Sequence, residues 1–217
     1  MNVVVVGGGK KGKFGNDLVN RLRDEGHDVY VLSHKLNGTH DPKQVAVDFT
    51  NLELVLDTFE KLISHLDTID LFLYNSNDNS HWLNRKKSFT SNAPDFSMVD
   101  WQNSLNIVST VPYNLIVKAL SKMNENSKIF YMATGLATDF DRTEYTKYAG
   151  YAGGKALMIH IMLGFAHHND KGAIVSVLSP HFDYNNKEHY DSVFEGICRY
   201  IANITKEQNG KIVKFYQ

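Results

Sequence analysis

Apolar residues follow two alternating patterns along the chain: short continuous runs, and longer runs with helical spacing. Residues 2–7 read NVVVVG, a β-branched run that predicts a strand buried on both faces. Residues 14–25 then place apolar side chains three or four positions apart and stop before Gly26, which predicts an amphipathic helix. This strand and helix form the first unit of an alternation that continues to the end of the sequence.

The same patterns predict six more strands and four more helices. Strands are expected over residues 28–33, 44–49, 69–75, 128–134, 173–179 and 211–216, and helices over 51–66, 98–123, 148–168 and about 187–204. Thr50 or Asn51 would cap the helix over 51–66, and Pro112 should bend or interrupt the helix over 98–123. Residues 76–94 are polar and weakly patterned, which favours a loop. The alternation predicts an α/β fold, a three-layer doubly wound parallel sheet of about seven strands.

Length and charge narrow the class of protein. A chain of 217 residues fits a single domain over residues 1–217, whose core needs no disulfide or metal. The net charge of −1 argues against a nucleic-acid partner. Cys198 is the single cysteine, which suits an intracellular setting. The apolar runs are too short to span a membrane, and residues 2–6 lack the basic region of a signal peptide, so we expect a cytoplasmic protein with no membrane partner.

Histidines raise the question of a metal site. Three of them, His160, His167 and His168, fall on one predicted helix. None belongs to an H-E-x-x-H motif, the helical spacing that binds zinc. We therefore expect no metal site.

A glycine-rich stretch over residues 7–15 (GGGKKGKFG) separates the first strand from the first helix. Gly7, Gly9 and Gly12 fit the pattern G-x-G-x-x-G, and Gly9, Gly12 and Gly15 fit G-x-x-G-x-x-G. Backbone amides at a helix N-terminus can receive a pyrophosphate at this position, so the stretch predicts dinucleotide binding. A glycine turn without a ligand is the alternative.

The end of the second strand bears on the choice of cofactor. Proteins that prefer NAD usually carry Asp or Glu there, to bond the adenine ribose hydroxyls. This chain has His34 and Lys35 instead, and Lys10, Lys11 and Lys13 lie in the glycine stretch. Such cations suit a 2′-phosphate, which favours NADP(H) over NAD(H), unless these lysines are merely solvated.

Tyr151 and Lys155 lie four residues apart and share one face of the helix over 148–168. A phenol with a pKa near 10 is a poor proton carrier at neutral pH, but a neighbouring lysine cation and an oxidised nicotinamide both favour its phenolate. The pair therefore makes chemical sense beside a cofactor. The same spacing also arises by chance in exposed helical pairs with no catalytic role.

Together these features resemble the short-chain dehydrogenase/reductase family over nearly all of the chain. Its Tyr-x-x-x-Lys helix is similar to the pair Tyr151 and Lys155, and its glycine motif is similar to Gly9, Gly12 and Gly15. The resemblance implies a Rossmann fold and hydride transfer between NAD(P)(H) and a small carbonyl or alcohol substrate. The cofactor contacts that it implies in the glycine stretch and at the second strand are Gly9, Lys11, Gly12, Phe14, Gly15, His34 and Lys35.

The resemblance also implies roles for residues at other strand ends. Asp48 and Phe49 look like the family's Asp-Val pair that contacts the adenine, and Asn75 would pack near the adenosine ribose. Asn106 resembles the helix asparagine that holds a water in the family's proton relay. Pro180 stands where the family's backbone meets the nicotinamide.

The family's catalytic serine has a threonine in its place. Thr134 ends the fifth strand, although Thr138 is a second candidate because the alignment of residues 135–150 is ambiguous. The Thr134 hydroxyl would bond the substrate oxygen, and Tyr151 would donate or take the proton. Lys155 would hold the nicotinamide ribose and lower the pKa of Tyr151.

Three departures from the family obscure the substrate. The glycine spacing resembles the extended members of the family, some of which act on nucleotide-linked sugars, yet the chain is too short for their C-terminal substrate domain. Few residues separate Pro180 from the next helix, so the substrate lid is cut down, and His181 replaces a glycine. A bulky or macromolecule-borne substrate would fit, and the alternative is a non-catalytic, dinucleotide-binding regulatory protein.

Apolar faces on two helices bear on assembly. Residues 105–120 and 156–165 are first of all expected to form core. The resemblance also implies that these helices pair between subunits, in a homodimer or homotetramer.

Overall fold

One parallel sheet of seven strands forms the centre of the fold. The structure is a computed structural model that describes residues 1–36, 41–77, 98–138 and 149–215. The strands are β1 (Asn2–Val6), β2 (Asp28–Ser33), β3 (Gln44–Ala46), β4 (Leu71–Tyr74), β5 (Lys128–Met132), β6 (Ile174–Pro180) and β7 (Lys211–Phe215). They lie in the order β3-β2-β1-β4-β5-β6-β7, and every neighbouring pair is parallel. The strand order reverses between β1 and β4, so a crevice opens at their carboxyl ends.

Helices cover both faces of this sheet. They are α1 (Phe14–Asp24), α2 (Leu52–Ile63), α3 (Met98–Leu105), α4 (Val111–Leu120), α5 (Gly135–Thr138), α6 (Ala149–His168) and α7 (Lys187–Asn203), with a π-helical segment (Asn106–Thr110) between α3 and α4. Buried side chains of α2, α4 and α6 pack on one face, and those of α1 and α7 pack on the other. The predicted three-layer, doubly wound α/β fold is confirmed.

The first strand shows why the β-branched run was needed. Val3 and Val5 point into the core layer under α1 and α7, while Val4 and Val6 point into the opposite layer. All four side chains are fully buried. Burying each one stabilises the fold by roughly 1.5–3 kcal/mol, so a polar residue on either face would be costly.

The third strand is shorter than predicted. It ends at Ala46 and not at residue 49, because the chain turns toward α2. The Asp48 carboxylate accepts hydrogen bonds from the amide and the hydroxyl of Thr50, both at 2.9 Å. Asn51 is the residue that caps α2, accepting from the Leu54 amide at 3.0 Å.

The long helix predicted over residues 98–123 is interrupted, as Pro112 suggested. It consists of α3, the π-helical segment and α4, with Pro112 in the first turn of α4. The short helix α5 was not predicted. Most of the loop predicted over residues 76–94 lies outside the described residues.

The part of the chain that the structure describes was searched for membrane-spanning helices and for metal sites. No helix there is long and apolar enough to cross a membrane. No group of three or more His, Cys, Asp or Glu side chains there is placed to hold a metal ion.

Candidate active site

The glycine loop joins β1 to α1 beside the crevice. Gly7 and Gly12 have positive φ angles of 92° and 68°, a region that L side chains rarely adopt. A Cβ at Gly15 would lie 2.4 Å from the Gly7 carbonyl oxygen, so α1 begins directly against the loop. A Cβ at Gly12 would meet none of the described atoms within 4 Å. The loop therefore leaves open space near the N-terminus of α1, where a pyrophosphate would bind.

The first half of the loop touches the end of β2. The Gly9 amide donates to the Ser33 hydroxyl oxygen at 3.2 Å, and a Cβ at Gly9 would lie 2.2 Å from the Lys35 carbonyl oxygen. Lys10 follows Gly9 directly, so Lys10 and Lys35 leave the backbone from neighbouring points. Both side chains are exposed, as are those of Lys11 and His34.

Lys13 belongs to a different part of the site. Its Nζ atom lies 4.1 Å from the centre of the Tyr184 ring, in the segment that follows β6. In the sheet, β6 lies on the far side of β1 from β2. Lys13 is thus directed away from the strand end where the 2′-phosphate was predicted, and the charge available there comes from the other cations.

Asn75 joins β4 to the glycine loop. Its backbone amide donates to the Val6 carbonyl at 2.8 Å and its side-chain amide donates to the Gly7 carbonyl at 3.1 Å. Asn75 therefore shapes the loop in addition to lying at the crevice.

Asp48 and Phe49, the pair predicted to contact the adenine, differ in their exposure to solvent. Hydrogen bonds from Thr50 hold the pKa of the exposed Asp48 carboxyl below its usual value. The Phe49 ring is 2% exposed and packs in the core with the α2 side chains. Phe49 can therefore meet a ligand through its backbone only.

Lys155 is the most deeply buried charged residue of the site. Its side chain is fully buried, and its Nζ atom donates to the Met132 carbonyl at 2.6 Å, at the end of β5. The Nζ atom also lies 4.5 Å from the Tyr131 ring centre and 5.8 Å from the Tyr151 ring centre. Burial lowers the pKa of the Lys155 amine to about 7. Near neutral pH both the charged and the uncharged form of this amine are therefore populated.

Tyr151 lies one helical turn before Lys155 and is 6% exposed. Its hydroxyl donates to the Asn77 side-chain oxygen at 3.3 Å, just beyond the end of β4. The structure thus brings the phenol to the same sheet edge as the glycine loop. Asn77 was not predicted as a site residue, because it falls in a polar stretch with no pattern of its own.

The two candidate threonines have different surroundings. Thr134 follows β5 directly, and its carbonyl accepts from the Ala137 amide at 2.9 Å as α5 begins. Thr138 lies one turn later, and its hydroxyl is 3.2 Å from the hydroxyl of Ser179 on β6. Thr134 is therefore the threonine at the strand end, whereas Thr138 pairs with the neighbouring strand.

Asn106 is the first residue of the π-helical segment. Its side-chain oxygen accepts from the Gln102 amide group at 3.1 Å. The segment packs against α6, where the Ser109 hydroxyl donates to the Gly154 carbonyl at 2.7 Å. A Cβ at Gly154 would lie only 2.5 Å from a Val108 methyl carbon. The helix that carries Asn106 thus contacts α6 between Tyr151 and Lys155.

The segment after Pro180 folds back onto α1. The Phe182 ring packs on the Phe14 ring with centroids 5.1 Å apart. The Tyr190 hydroxyl donates to the Asp17 carboxylate at 2.6 Å, which fixes the start of α7 to the same helix. The segment between β6 and α7 is thus anchored to α1 by these contacts.

Comparison with known proteins gives structural matches only. No protein-family model matches the chain, and no curated protein has a significantly similar sequence. A short-chain dehydrogenase/reductase from Serratia marcescens superposes with a TM-score of 0.74 at 19% identity, over 98% of this chain and 94% of that one. A Burkholderia cenocepacia short-chain dehydrogenase in complex with NADP gives 0.72 at 16% identity, over 98% and 95%. A Listeria innocua protein gives 0.69 at 14% identity, over 100% of both chains.

At sequence identities this low, a structural match is evidence of a shared fold only. The superposition extends over almost the whole length of each chain, including both layers of helices. The resemblance inferred from the glycine motif and the Tyr-x-x-x-Lys helix is confirmed at this level. The chain has the Rossmann fold of the short-chain dehydrogenase/reductases.

Proposed function

We propose that this protein is an NAD(P)(H)-dependent oxidoreductase of the short-chain dehydrogenase/reductase type, acting on a small carbonyl or alcohol substrate. The carrying observation is the Tyr151 and Lys155 pair, which lies at the same sheet edge as the glycine loop. A lysine is almost never fully buried without a compensating partner, and strongly shifted pKa values cluster at functional sites. A catalytic role accounts for the burial of Lys155 better than a stabilising one does.

Tyr151 would carry the proton of the reaction. In the reducing direction its hydroxyl would donate a proton to the substrate carbonyl oxygen, and in the oxidising direction its phenolate would take the proton back. The bound nicotinamide would supply or accept the hydride. Lys155 in its charged form would favour the phenolate and hold the nicotinamide ribose, while the Thr134 hydroxyl would bond the substrate oxygen.

The remaining predicted contacts stay part of this proposal. Asn106 would hold the water of the proton relay. The other groups expected near the cofactor are Gly9, Lys11, Gly12, Phe14, Gly15, Asp48, Phe49, Asn75 and Pro180. Asn75 and Phe49 would act chiefly through the backbone, since the Asn75 amide bonds the glycine loop and the Phe49 ring packs in the core.

NADP(H) is the proposed cofactor in preference to NAD(H). The contact between Gly9 and Lys35 brings the glycine loop to the end of β2, where the adenine ribose of a bound dinucleotide would lie. Lys10, Lys11, His34 and Lys35 are exposed there and supply positive charge for a 2′-phosphate.

A homodimer or homotetramer in the cytoplasm is the proposed state of the protein. Tyr113 and Val117 on α4 and Leu157 on α6 are 45–50% exposed, which is unusual for large apolar side chains on adjacent helices. Pairing of these helices between subunits would cover them.

A non-catalytic regulatory protein that binds a dinucleotide is the second candidate. The observation that favours it is the anchored segment after Pro180, which leaves little chain to close over a substrate. Such a protein would bind NADP(H) through the glycine loop but would reduce no carbonyl compound.

Carbonyl reduction tests the proposal directly. Purified protein is screened for NADPH oxidation against aldehydes, ketones and quinones, and the best substrate is then used to compare Tyr151→Phe with wild type. General acid catalysis typically contributes about 100- to 10,000-fold, so kcat/KM should fall by that factor in Tyr151→Phe while NADPH affinity stays unchanged.

Tyr200→Phe serves as the matched control, since the Tyr200 hydroxyl lies 3.0 Å from that of Ser176, among the side chains that pack with α1 and α7. It should retain wild-type activity. Turnover that survives in Tyr151→Phe would exclude Tyr151 as the proton carrier. Binding of NADPH without turnover of any compound in the screen would favour the regulatory alternative.

A further inference from the structure

The π-helical segment meets a proline at its C-terminal end. The Val111 amide donates to the Asn106 carbonyl, five residues earlier. The next amide in the ladder would be that of residue 112, which would serve Ile107 in the π-helical register or Val108 in the α-helical register. Pro112 has no amide hydrogen, so the ladder cannot serve either carbonyl from this position.

Two tyrosine hydroxyls bond these carbonyls from the sheet. The hydroxyl of Tyr74 on β4 donates to the Ile107 carbonyl, and the hydroxyl of Tyr131 on β5 donates to the Val108 carbonyl at 2.7 Å. The two rings stack with centroids 5.9 Å apart, and both side chains are fully buried. Burial raises the pKa of both phenols, which keeps them protonated as donors.

Tyr131 also lies against the candidate catalytic lysine. Its ring centre is 4.5 Å from the Lys155 Nζ atom, while its hydroxyl reaches the π-helical segment on the other side. That segment in turn contacts α6 at Gly154, between Tyr151 and Lys155. The tyrosines, the π-helical segment and the two candidate catalytic residues are therefore one connected unit.

We propose that Tyr74 and Tyr131 are positioning residues, whose hydroxyls replace the missing amide of Pro112 and so fix the π-helical segment beneath Tyr151 and Lys155. Phenylalanine at either position would keep the ring but remove the hydroxyl that donates to the backbone carbonyl. The structural part of this proposal, that the hydroxyls fix the π-helical segment, is argued from the hydrogen bonds. The catalytic part, that this positions Tyr151 and Lys155, rests on the proposed function.

Tyr131→Phe and Tyr74→Phe, made in the full chain, test both parts. Amide hydrogen exchange over residues 106–116 should become at least about tenfold faster in each variant, because the segment opens more often. With the substrate found in the carbonyl screen, kcat should fall about tenfold while KM for NADPH changes less than about twofold, since positioning affects the chemical step.

Tyr200→Phe is the control for loss of a hydroxyl. The Tyr200 hydroxyl lies 3.0 Å from that of Ser176, among the side chains on the opposite face of the sheet. Its removal should change neither exchange over residues 106–116 nor kcat.

Pro112→Ala supplies the decisive comparison because it restores an amide at position 112. In the π-helical register that donor serves the Ile107 carbonyl, so in the Pro112→Ala background Tyr74→Phe should accelerate exchange less than about threefold, and the two substitutions are coupled. Equal acceleration in both backgrounds, or unchanged exchange in both Tyr→Phe variants, would overturn the structural part. Faster exchange with unchanged kcat would overturn the catalytic part.

A wild-type protein that reduces no carbonyl compound would count against the proposed function, while the exchange data still decide the role of the hydroxyls.

Discussion

The Lys155 amine is fully buried, and its hydrogen-bond acceptor, the Met132 carbonyl, carries no charge. A neutral carbonyl offsets only part of the cost of burying an ammonium group, which is why the pKa of Lys155 falls to about 7. A tyrosine phenolate would be a better partner for the charged form, because it carries a negative charge. At the scale of single residues, burial against a neutral acceptor therefore favours the uncharged form of this amine.

This lowered pKa predicts how stability depends on pH. Between pH 7 and pH 10.5 the unfolded chain holds a proton on Lys155 that the folded protein has lost. The unfolded state then binds more protons, so the free energy of unfolding rises with pH in this window, and Lys155 adds no slope below it.

Urea unfolding of wild type and Lys155→Met at pH 7 and pH 9 isolates this contribution. The difference in the free energy of unfolding between the two proteins should shift in favour of wild type by roughly 2 kcal/mol at the higher pH. A difference that is the same at both pH values would show that Lys155 titrates normally.

The candidate catalytic pair was visible in the sequence, but its surroundings were not. Tyr151 and Lys155 are four residues apart, and helical geometry alone puts them on one face. Asn77 and Tyr131 approach them from β4 and β5, and such contacts depend on strand order and register, which a single sequence pattern does not determine. Lys35 lies at the end of β2 and Lys13 lies on the β6 side, and this separation likewise depends on how the segment after β6 folds.

At the scale of elements, the glycine loop and its helix carry the proposed cofactor site. Gly12 has a φ of 68°, and a Cβ there would point into open space. Gly26, beyond the other end of α1, has a φ of 81° and equally open surroundings. Gly12 and Gly26 therefore differ in location, but both need a positive φ angle.

Alanine at each position separates backbone strain from ligand binding. Gly12→Ala and Gly26→Ala should each lower the free energy of unfolding by about 1–2 kcal/mol, because both force an L residue into the left-handed region. Only Gly12→Ala should weaken NADPH binding, by at least about tenfold, since the added methyl and the relaxed backbone disturb the pyrophosphate site. Comparable weakening in Gly26→Ala would mean that the loop has no special role.

The cations of the site make a second prediction at this scale. Lys35 lies beside Gly9 at the end of β2, whereas Lys13 lies over the Tyr184 ring on the β6 side. Lys35→Ala should weaken NADPH binding about tenfold and leave NADH binding unchanged, because only NADPH carries the 2′-phosphate. Lys13→Ala should affect the two cofactors equally. Calorimetric titration of both variants with both cofactors makes the comparison, and equal losses in Lys35→Ala would place the 2′-phosphate elsewhere.

Element boundaries show where periodicity stops being informative. Strand β3 ends at Ala46, the Val47 amide still donates to the Ser33 carbonyl, and the Asp48 carboxylate then makes local hydrogen bonds with Thr50. Pro112 correctly indicated an interruption, but the hydroxyls that bond the π-helical segment come from two distant strands. The first detail involves a bond between residues two positions apart, and the second involves side chains from distant strands, so apolar periodicity indicates neither.

At the scale of the whole molecule, the alternation of strands and helices was sufficient to predict the layers. Every strand predicted from an apolar run is present. The five inner strands are mostly buried and so must be apolar nearly throughout, whereas the edge strands β3 and β7 are partly exposed. The strand order places the ends of β1, β4 and β5 around one crevice, and it brings the glycine loop to Tyr151 and Lys155 from opposite halves of the chain. The site is thus a consequence of topology as much as of its motifs.

Calorimetric titration of the wild-type protein with NADPH, NADP, NADH and NAD is the most direct test of the central claim. A Rossmann site with an open glycine loop and cations at the end of β2 predicts micromolar binding of NADPH and NADP, at least about tenfold tighter than that of NADH and NAD. Absence of heat with all four dinucleotides would contradict the account, because the glycine loop, Lys155 and Tyr151 would then have no cofactor to serve.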